Sequence, residues 1–263
     1  LPSFDHIKEI YQLHDIGFIN DVPVINVYEK DGVILHILEK ETNNKKIQGI
    51  INRKRRFDHM QQHTGQHILS ACVLKTIDSE TNSVALGNER STIDININSF
   101  SVEEANRVEQ ECMDWIIRNA AVRILYPTTQ ELVNMNLRKQ PGNLDGKKLR
   151  IIHIDGLDYS ACGGTHTAKT GEVGIIKILR WERMKNNIRI EFKCGYRALN
   201  DYQSKNMIIN SAKDSLTTGE SKIDESIQNL IEANKLLQKE NTATKQKLFE
   251  VKSKDLFDSG EKV

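Results

Sequence analysis

Two short segments of this 263-residue chain carry side chains that could hold a metal ion together. His63 and His67 lie four residues apart in a segment that is predicted to be helical. At a rise of about 1.5 Å per residue, such a pair shares one helix face about 6 Å apart, within reach of one ion. Cys162 and His166 repeat the spacing across two glycines, which a helix interior disfavours. Three imidazoles and a thiol are a ligand set that a tetrahedral zinc site prefers.

The predicted helix permits a second pairing, because His59 extends the four-residue series. His59 and His67 would lie about 12 Å apart along the axis, too far to share one ion. Spacing alone therefore leaves two pairs open, His59 with His63 or His63 with His67. A zinc peptidase is excluded, because it needs a glutamate directly after the first histidine and this chain has Thr64 there. A purely structural zinc, closed by four protein ligands, is the other alternative.

Longer segments around both motifs resemble a known family. HTGQHILSA (63–71), SACGGTH (160–166) and GEVGIIKI (171–178) are similar to the editing domain of alanyl-tRNA synthetase and to its freestanding relatives, the alanyl-tRNA editing proteins. The related threonyl-tRNA synthetase domain usually has a bulkier second motif, with proline before the histidine. The two glycines and the threonine between Cys162 and His166 therefore favour the alanyl branch.

The resemblance implies a zinc-dependent aminoacyl-tRNA deacylase, which hydrolyses the ester of tRNA for alanine mischarged with serine or glycine. The implied zinc ligands, through which catalysis would act, are His63, His67, Cys162 and His166. The family's choice of the pair His63 and His67 leaves His59 as a surface residue or an outer neighbour of the site. Gln66 and Thr165 are candidates to hydrogen-bond a serine hydroxyl, or else they brace the metal loop.

Arg53, Arg55 and Arg56 open the predicted helix and are candidate RNA phosphate contacts, although a solvated charged face is the plainer interpretation. The net charge of +1 means that tRNA, the expected partner, would have to bind a local patch. Arg189 matches a family position, but a cross-strand ion pair is the expected role.

The composition favours a cytoplasmic protein without a membrane partner. No run approaches the roughly 18 apolar residues of a membrane span, and the first residues lack the apolar stretch of a signal peptide. The four cysteines are scattered and form no C-x-x-C pair, as expected in a reducing compartment.

The predicted fold class is α+β, with an antiparallel sheet and helices forming a zinc-containing editing domain at 51–200. A small N-terminal β module, a partial barrel, is predicted at 1–50, with a hairpin turning at Asp31-Gly32. Freestanding relatives carry a glycine-rich stretch before this module, and only Gln12, Asp15 and Gly17 fit it here. That departure favours the alternative of an inactive, zinc-stabilised tRNA-binding protein.

Several further features are predicted within the central domain. They are a helix from Arg53 to about residue 77, strands around Gly87-Asn88, a helix at 101–120 with a capping box of Ser101 and Glu104, a helix at 128–138, a loop at 139–146, and a strand pair turning at Asn186-Asn187.

Residues 201–263 are predicted to form a C-terminal helical extension. Apolar residues recur with coiled-coil spacing over 223–251, which indicates a homodimer through this segment. Asn234 and Asn241 weaken its centre, so an antiparallel hairpin or docking to another partner are alternatives. A module whose function is oligomerisation is the third functional alternative.

Overall fold

The structure is a computed structural model that describes residues 12, 14–42, 46–139, 149–258 and 260. The loop predicted at 139–146 lies outside the described residues except for Lys139, and so do residues 1–11 of the predicted N-terminal module. The described part is a mixture of helices and antiparallel sheets, and it ends in a long helix. The predicted α+β class and C-terminal long helix are thereby confirmed.

The N-terminal sheet contains four antiparallel strands in the order β3-β2-β1-β4. They are β1 (Gly17–Ile19), β2 (Val22–Lys30), β3 (Val33–Leu38) and β4 (Gly49–Ile51). The predicted hairpin is confirmed, since β2 and β3 pair around Asp31 and Gly32, which have φ values of 53° and 77°. Positive φ at both loop residues is typical of a type I′ turn, whose twist matches that of the strands.

Helix α1 (Arg53–Ile77) has more buried residues than any other helix in the described part of the chain. The side chain of Asn52 caps its start by accepting a hydrogen bond from the backbone N–H of Arg55, and Asp78 ends it in a left-handed conformation. His59 and residues 61–73 are all buried. Because α1 is covered on every face over this stretch, its histidines and glutamines lie in the interior and must find partners there.

The second sheet has the order β10-β11-β6-β5 and provides the main core with α1 and α2. Its strands are β5 (Thr81–Leu86), β6 (Ser91–Ile95), β10 (Ile176–Met184) and β11 (Asn187–Cys194), and α2 spans Val102–Arg118. The predicted capping box of Ser101 and Glu104 is present at the start of α2. The β10–β11 turn lies one residue earlier than predicted, at Lys185 and Asn186, because Asn187 already pairs with Met184.

The third sheet, in the order β7-β8-β9, leads into the second motif. It consists of β7 (Val122–Leu125), β8 (Ile151–Ile154) and β9 (Asp158–Ala161). The helix predicted at 128–138 is much shorter, since α3 covers only Thr129–Val133. None of its residues is buried, so no packing stabilises further turns, and Leu137 instead reaches the interior outside the helix.

The chain divides into two compact units, Leu1–Asn200 and Asp201–Val263. Helix α4 (Gly195–Leu216) begins in the first unit and ends in the second, which also contains α5 (Ile223–Asp258). No residue of α5 is buried. Among the described residues, no helix is both long enough and apolar enough to cross a membrane.

Candidate metal centre

Helix α1 presents His63 and His67 within its buried stretch, with ring centroids 5.3 Å apart. Gly65, between them, lets the helix approach the end of β11 closely. A Cβ atom at this position would lie 2.2 Å from the Cys194 Sγ atom. The glycine therefore sets the depth at which both imidazoles lie in the core.

The loop after β9 brings Cys162 and His166 to the same place. Its start is held by the backbone N–H of Cys162, which donates to the Arg150 carbonyl at 3.1 Å. Its end is held by the backbone N–H of Thr167, which donates to the Thr64 hydroxyl at 2.9 Å. Glycine is required at position 164, because a Cβ atom there would lie 2.1 Å from Cε1 of His63.

The four side chains converge so that their ligand atoms lie within 4.8 Å of one another. The Cys162 Sγ atom is 3.2 Å from Nε2 of His63 and 3.7 Å from Nε2 of His166. Ligands around a tetrahedral zinc ion are about 3.3–3.7 Å apart, given the usual zinc–nitrogen and zinc–sulfur bond lengths. The donor set and these two spacings fit such an ion.

The outer nitrogen of each histidine has a hydrogen-bond acceptor. Nδ1 of His63 lies 2.8 Å from the Gln12 Oε1 atom, and Nδ1 of His67 lies 3.1 Å from Oδ2 of Asp158. Nδ1 of His166 lies 3.1 Å from the Gly164 carbonyl oxygen. With each Nδ1–H donating outward, each Nε2 lone pair points to the centre, as in zinc-ligating histidines.

Nε2 of His67 supports the same assignment. This atom is buried and has no hydrogen-bond partner among the described residues. Buried polar atoms without partners are rare and require an explanation. A metal ion between the four side chains would provide the missing partner.

Asp158 anchors His67 from behind the centre. Its carboxylate also accepts hydrogen bonds from Nε of Arg138 and the Ser160 hydroxyl, both at 2.8 Å. Burial raises the pKa of this carboxyl, but the hydrogen bond with His67 and the charge of Arg138 outweigh it and hold the pKa below the usual range. A carboxylate that stays ionised fixes the tautomer and orientation of His67.

The protonation states of Cys162 and His166 suit metal binding. Burial raises the pKa of the Cys162 thiol, but the neighbouring His63 and His166 outweigh it and hold that pKa well below its ordinary value. Burial lowers the pKa of His166 to about 3. Burial also lowers the pKa of His67, but its interactions with Asp158 and Cys162 together outweigh burial and raise that pKa overall. The thiolate and the neutral His166 are the forms that ligate metal ions.

Thr165 and Gln66, the two residues predicted to contact the substrate, each have a hydrogen-bond partner within the protein. The Thr165 hydroxyl oxygen accepts a hydrogen bond from Nε2 of Gln12 at 2.6 Å, and the Thr165 backbone N–H donates to the Gln12 Oε1 atom at 3.0 Å. Gln66 is buried, and its Nε2 atom donates to the Ser70 hydroxyl at 2.9 Å. Its Oε1 atom is buried without a hydrogen-bond partner in the described part of the chain.

The three arginines at the start of α1 divide into a pair and a single residue. Arg53 is exposed, and Arg56 forms an ion pair with Asp15. Arg55 donates from Nε to the His14 carbonyl at 3.3 Å. The structure therefore separates Arg55 from the other two, which line one cavity.

The predictions for His59 and Arg189 can also be compared with their positions in the structure. His59 is not at the surface, as one expectation had it, because α1 is covered on that face too and leaves His59 only 5% exposed. It does not belong to the four-residue cluster. Arg189 forms the predicted cross-strand ion pair, with 2.7 and 2.8 Å hydrogen bonds to the two carboxylate oxygens of Asp94.

Sequence reasoning missed Asp158 and Arg138 and gave Gln12 no role at the centre. One signal was available for Asp158, since alternate residues of a strand face the same side and Asp158, Ser160 and Cys162 alternate. Arg138 follows α3 and carries no motif. It approaches Asp158 only through tertiary packing.

Comparisons with known proteins identify relatives of this chain. Residues 149–191 match the family model of the threonyl and alanyl tRNA synthetase second additional domain. An alanyl-tRNA editing protein of Pyrococcus horikoshii is 37% identical over 187 residues, which are 68% of this chain and 45% of that protein. An alanyl-tRNA editing protein of Mus musculus is 32% identical over 235 residues, 88% of this chain and 57% of that protein.

An alanine–tRNA ligase of Pyrococcus furiosus is 30% identical over 265 aligned residues, which cover 96% of this chain and 29% of the ligase. The chain thus spans less than two thirds of the length of each of these relatives. It is a relative of the alanyl-tRNA editing proteins, and in residues 149–191 it carries the second additional domain of the threonyl and alanyl tRNA synthetases.

Proposed function

We propose that this protein hydrolyses the ester bond of mischarged tRNA for alanine, with a zinc ion held by His63, His67, Cys162 and His166. The observation that carries the proposal is the convergence of these four ligand atoms within 4.8 Å. Two relatives are named alanyl-tRNA editing proteins, which supports tRNA for alanine as the RNA substrate. Cytoplasmic location follows as part of the same proposal.

The residues of the chain would prepare the centre for this chemistry. Gln12, Asp158 and the Gly164 carbonyl hold the three imidazoles in ligating orientation. When bound, zinc supplies Lewis-acid chemistry, either towards water or by holding the substrate's amino group. An aminoacyl ester is already reactive, so orientation and charge stabilisation provide most of what hydrolysis needs.

Thr165 is the residue that we assign to the recognition of serine. Its hydroxyl oxygen accepts a hydrogen bond from Gln12, so its own proton can be donated to a serine hydroxyl. Gln66 is the second candidate, with a buried Oε1 atom that lacks a partner among the described residues. A site that hydrogen-bonds a hydroxyl rejects alanine far better than an apolar pocket would.

A deacylation assay on Ser-tRNA for alanine, with Gly-tRNA and Ala-tRNA for comparison, tests the proposal. We expect the zinc-loaded protein to cleave the seryl ester, to spare the alanyl ester and to lose activity with a chelator. Intact Ser-tRNA at micromolar protein would overturn the enzymatic proposal. An RNA-binding protein without activity would then take its place, provided that RNA binding remains.

The organisation of the chain is part of the proposal. We divide it into the N-terminal β module (1–50), the editing domain (51–200) and the helical extension (201–263). A homodimer through 223–251 is supported by exposed apolar residues with coiled-coil spacing. They include Leu230, Leu237, Leu248 and Val251.

A further inference from the structure

Arg138 follows α3 and lies outside both metal-binding motifs. Its side chain is only 16% exposed, which is unusual for an arginine unless its charge is paired. The preceding residue, Leu137, is buried, and the backbone N–H of Arg138 donates to the Tyr159 carbonyl at 2.9 Å. The main chain thus fixes this arginine against β9, the strand that leads into the second motif.

The guanidinium of Arg138 contacts two side chains of β9 at once. Its Nε atom donates to Oδ1 of Asp158 at 2.8 Å, and its Nη2 atom donates to the Ser160 hydroxyl oxygen at 2.9 Å. That hydroxyl in turn donates to Oδ2 of Asp158 at 2.8 Å, and Nη2 of Arg138 lies 3.4 Å from the same oxygen. The planar fork of donors therefore holds the carboxylate in one orientation, which the single ammonium of a lysine would not do.

The carboxylate of Asp158 connects this fork to the metal centre. Its Oδ2 atom lies 3.1 Å from Nδ1 of His67, whose other ring nitrogen is the buried atom without a partner among the described residues. The Asp158 side chain is only 1% exposed, so water does not compensate its charge. A buried carboxylate that lacked a cation would be strongly destabilising, and Arg138 supplies that cation.

We propose that Arg138 is a positioning residue of the metal centre, which sets its metal affinity through Asp158 and the orientation of the His67 ring. This inference rests on the zinc site of the proposed function. The partners of metal-ligating histidines typically contribute about 10–100-fold to metal affinity. Arg138→Gln removes both the cation and the fork, so Asp158 can turn away from His67. We expect this variant to bind zinc about tenfold more weakly or worse.

The zinc dissociation constant of the full chain is measured by competition with a chromophoric chelator. The control variant is Arg123→Gln, which removes an exposed arginine that is paired with Asp155 outside the cluster. It should keep the affinity of the wild type. Arg138→Lys retains the buried charge, and with it the fold, but lacks the fork. Its affinity should fall between those of the wild type and Arg138→Gln.

A double-mutant cycle shows whether Arg138 acts through Asp158. Asp158→Asn keeps the shape of the side chain and removes the charge that Arg138 compensates. In this background Arg138→Gln should weaken zinc binding much less than it does in the wild type. Cobalt bound in place of zinc gives a second measurement, because its visible spectrum depends on the arrangement of the ligands. The spectrum should change in Arg138→Gln and stay unchanged in Arg123→Gln.

An unchanged zinc dissociation constant in Arg138→Gln or in Arg138→Lys would overturn the inference, even if the free energy of unfolding were lower. Equal losses of affinity in the two backgrounds of the cycle would also overturn it, because Arg138 would then act independently of Asp158. A wild-type protein that bound no zinc would overturn both proposals. Intact Ser-tRNA together with tight zinc binding that depends on Arg138 would remove only the enzymatic one.

Discussion

Helices α1 and α5 are both long, with 25 and 36 residues, but their surroundings are opposite. In α1 a continuous stretch from Gln61 to Val73 is buried, whereas α5 has no buried residue. A buried helix gains its stability from packing and can therefore carry histidines, Thr64 and Gly65, which weaken an isolated helix. The exposed helix lacks that support within its own unit, and its leucines remain available for a partner.

The largest expected effect comes from a histidine within the buried stretch of α1. His67→Ala should lower the metal content from about one ion per chain to near zero and abolish hydrolysis of every aminoacyl-tRNA, because it removes a ligand and leaves Asp158 without its partner. Elemental analysis of protein purified without added metal measures the first effect.

The matched control for this variant is His59→Ala, a second buried histidine of α1 that lies outside the cluster. It should retain the metal. Stoichiometric metal in His67→Ala, or its loss in His59→Ala, would contradict the ligand assignment.

A pair of leucines measures the difference between the helices directly. Leu69→Ala in α1 removes a side chain that is 0% exposed and should lower the free energy of unfolding by about 2–5 kcal/mol. Leu236→Ala in α5 changes one that is 58% exposed and should alter it by less than about 0.5 kcal/mol. Urea denaturation of both variants gives the comparison, and equal costs would mean that α5 is packed.

A third, smaller effect on stability is expected at a glycine near the centre, where a side chain has no room. Gly164→Ala places a Cβ atom against the His63 ring and should destabilise the protein by about 1–3 kcal/mol while weakening metal retention against a chelator. Gly49→Ala is the control, because a Cβ atom there meets nothing within 4 Å. If Gly164→Ala changed neither stability nor metal retention, the loop would be free to move away from the His63 ring.

Thr165→Val should change discrimination without removing the metal. The loss of one hydrogen-bond partner typically costs about 1–3 kcal/mol, so the ratio of the Ser-tRNA rate to the Ala-tRNA rate should fall by about one order of magnitude. Rates for both substrates, measured at equal metal content, provide the test. An unchanged ratio would leave Thr165 as a brace of the loop and shift attention to Gln66.

The smallest effect concerns α5. Truncation at Thr218 should leave metal content and deacylation of a small substrate unchanged but convert a dimer into a monomer. Light scattering before and after truncation measures the mass. A monomer in both cases would remove the homodimer proposal, and Leu237→Asp offers the same test in the full chain.

The sequence predicted regular elements best where local signals were strong. The Asp31-Gly32 hairpin and the capping box of α2 are each encoded within a few residues, and the structure has both. The predicted span of α1 also agrees with the structure. Helix α3 is shorter than predicted, because the length of an exposed helix depends on packing that the sequence pattern does not reveal.

The candidate site likewise has one part that the sequence predicted and another part that it did not. The four residues predicted as ligands lie together, although helical spacing alone allowed His59 in place of His67. The sequence did not identify Gln12 and Asp158 as the hydrogen-bond acceptors of these histidines. Gln12 is 51 residues from His63 and Asp158 is 91 residues from His67, so their partners are decided by the fold.

Gln12 has a consequence for anyone who wishes to transplant the centre into another scaffold. Its side chain contacts both His63 and Thr165, so it connects the first motif with the second from outside either one. A transplanted segment that began at residue 51 would contain all four metal-binding side chains but would lose the contacts of Gln12 with both motifs. The smallest portable version of the centre must begin upstream of Gln12.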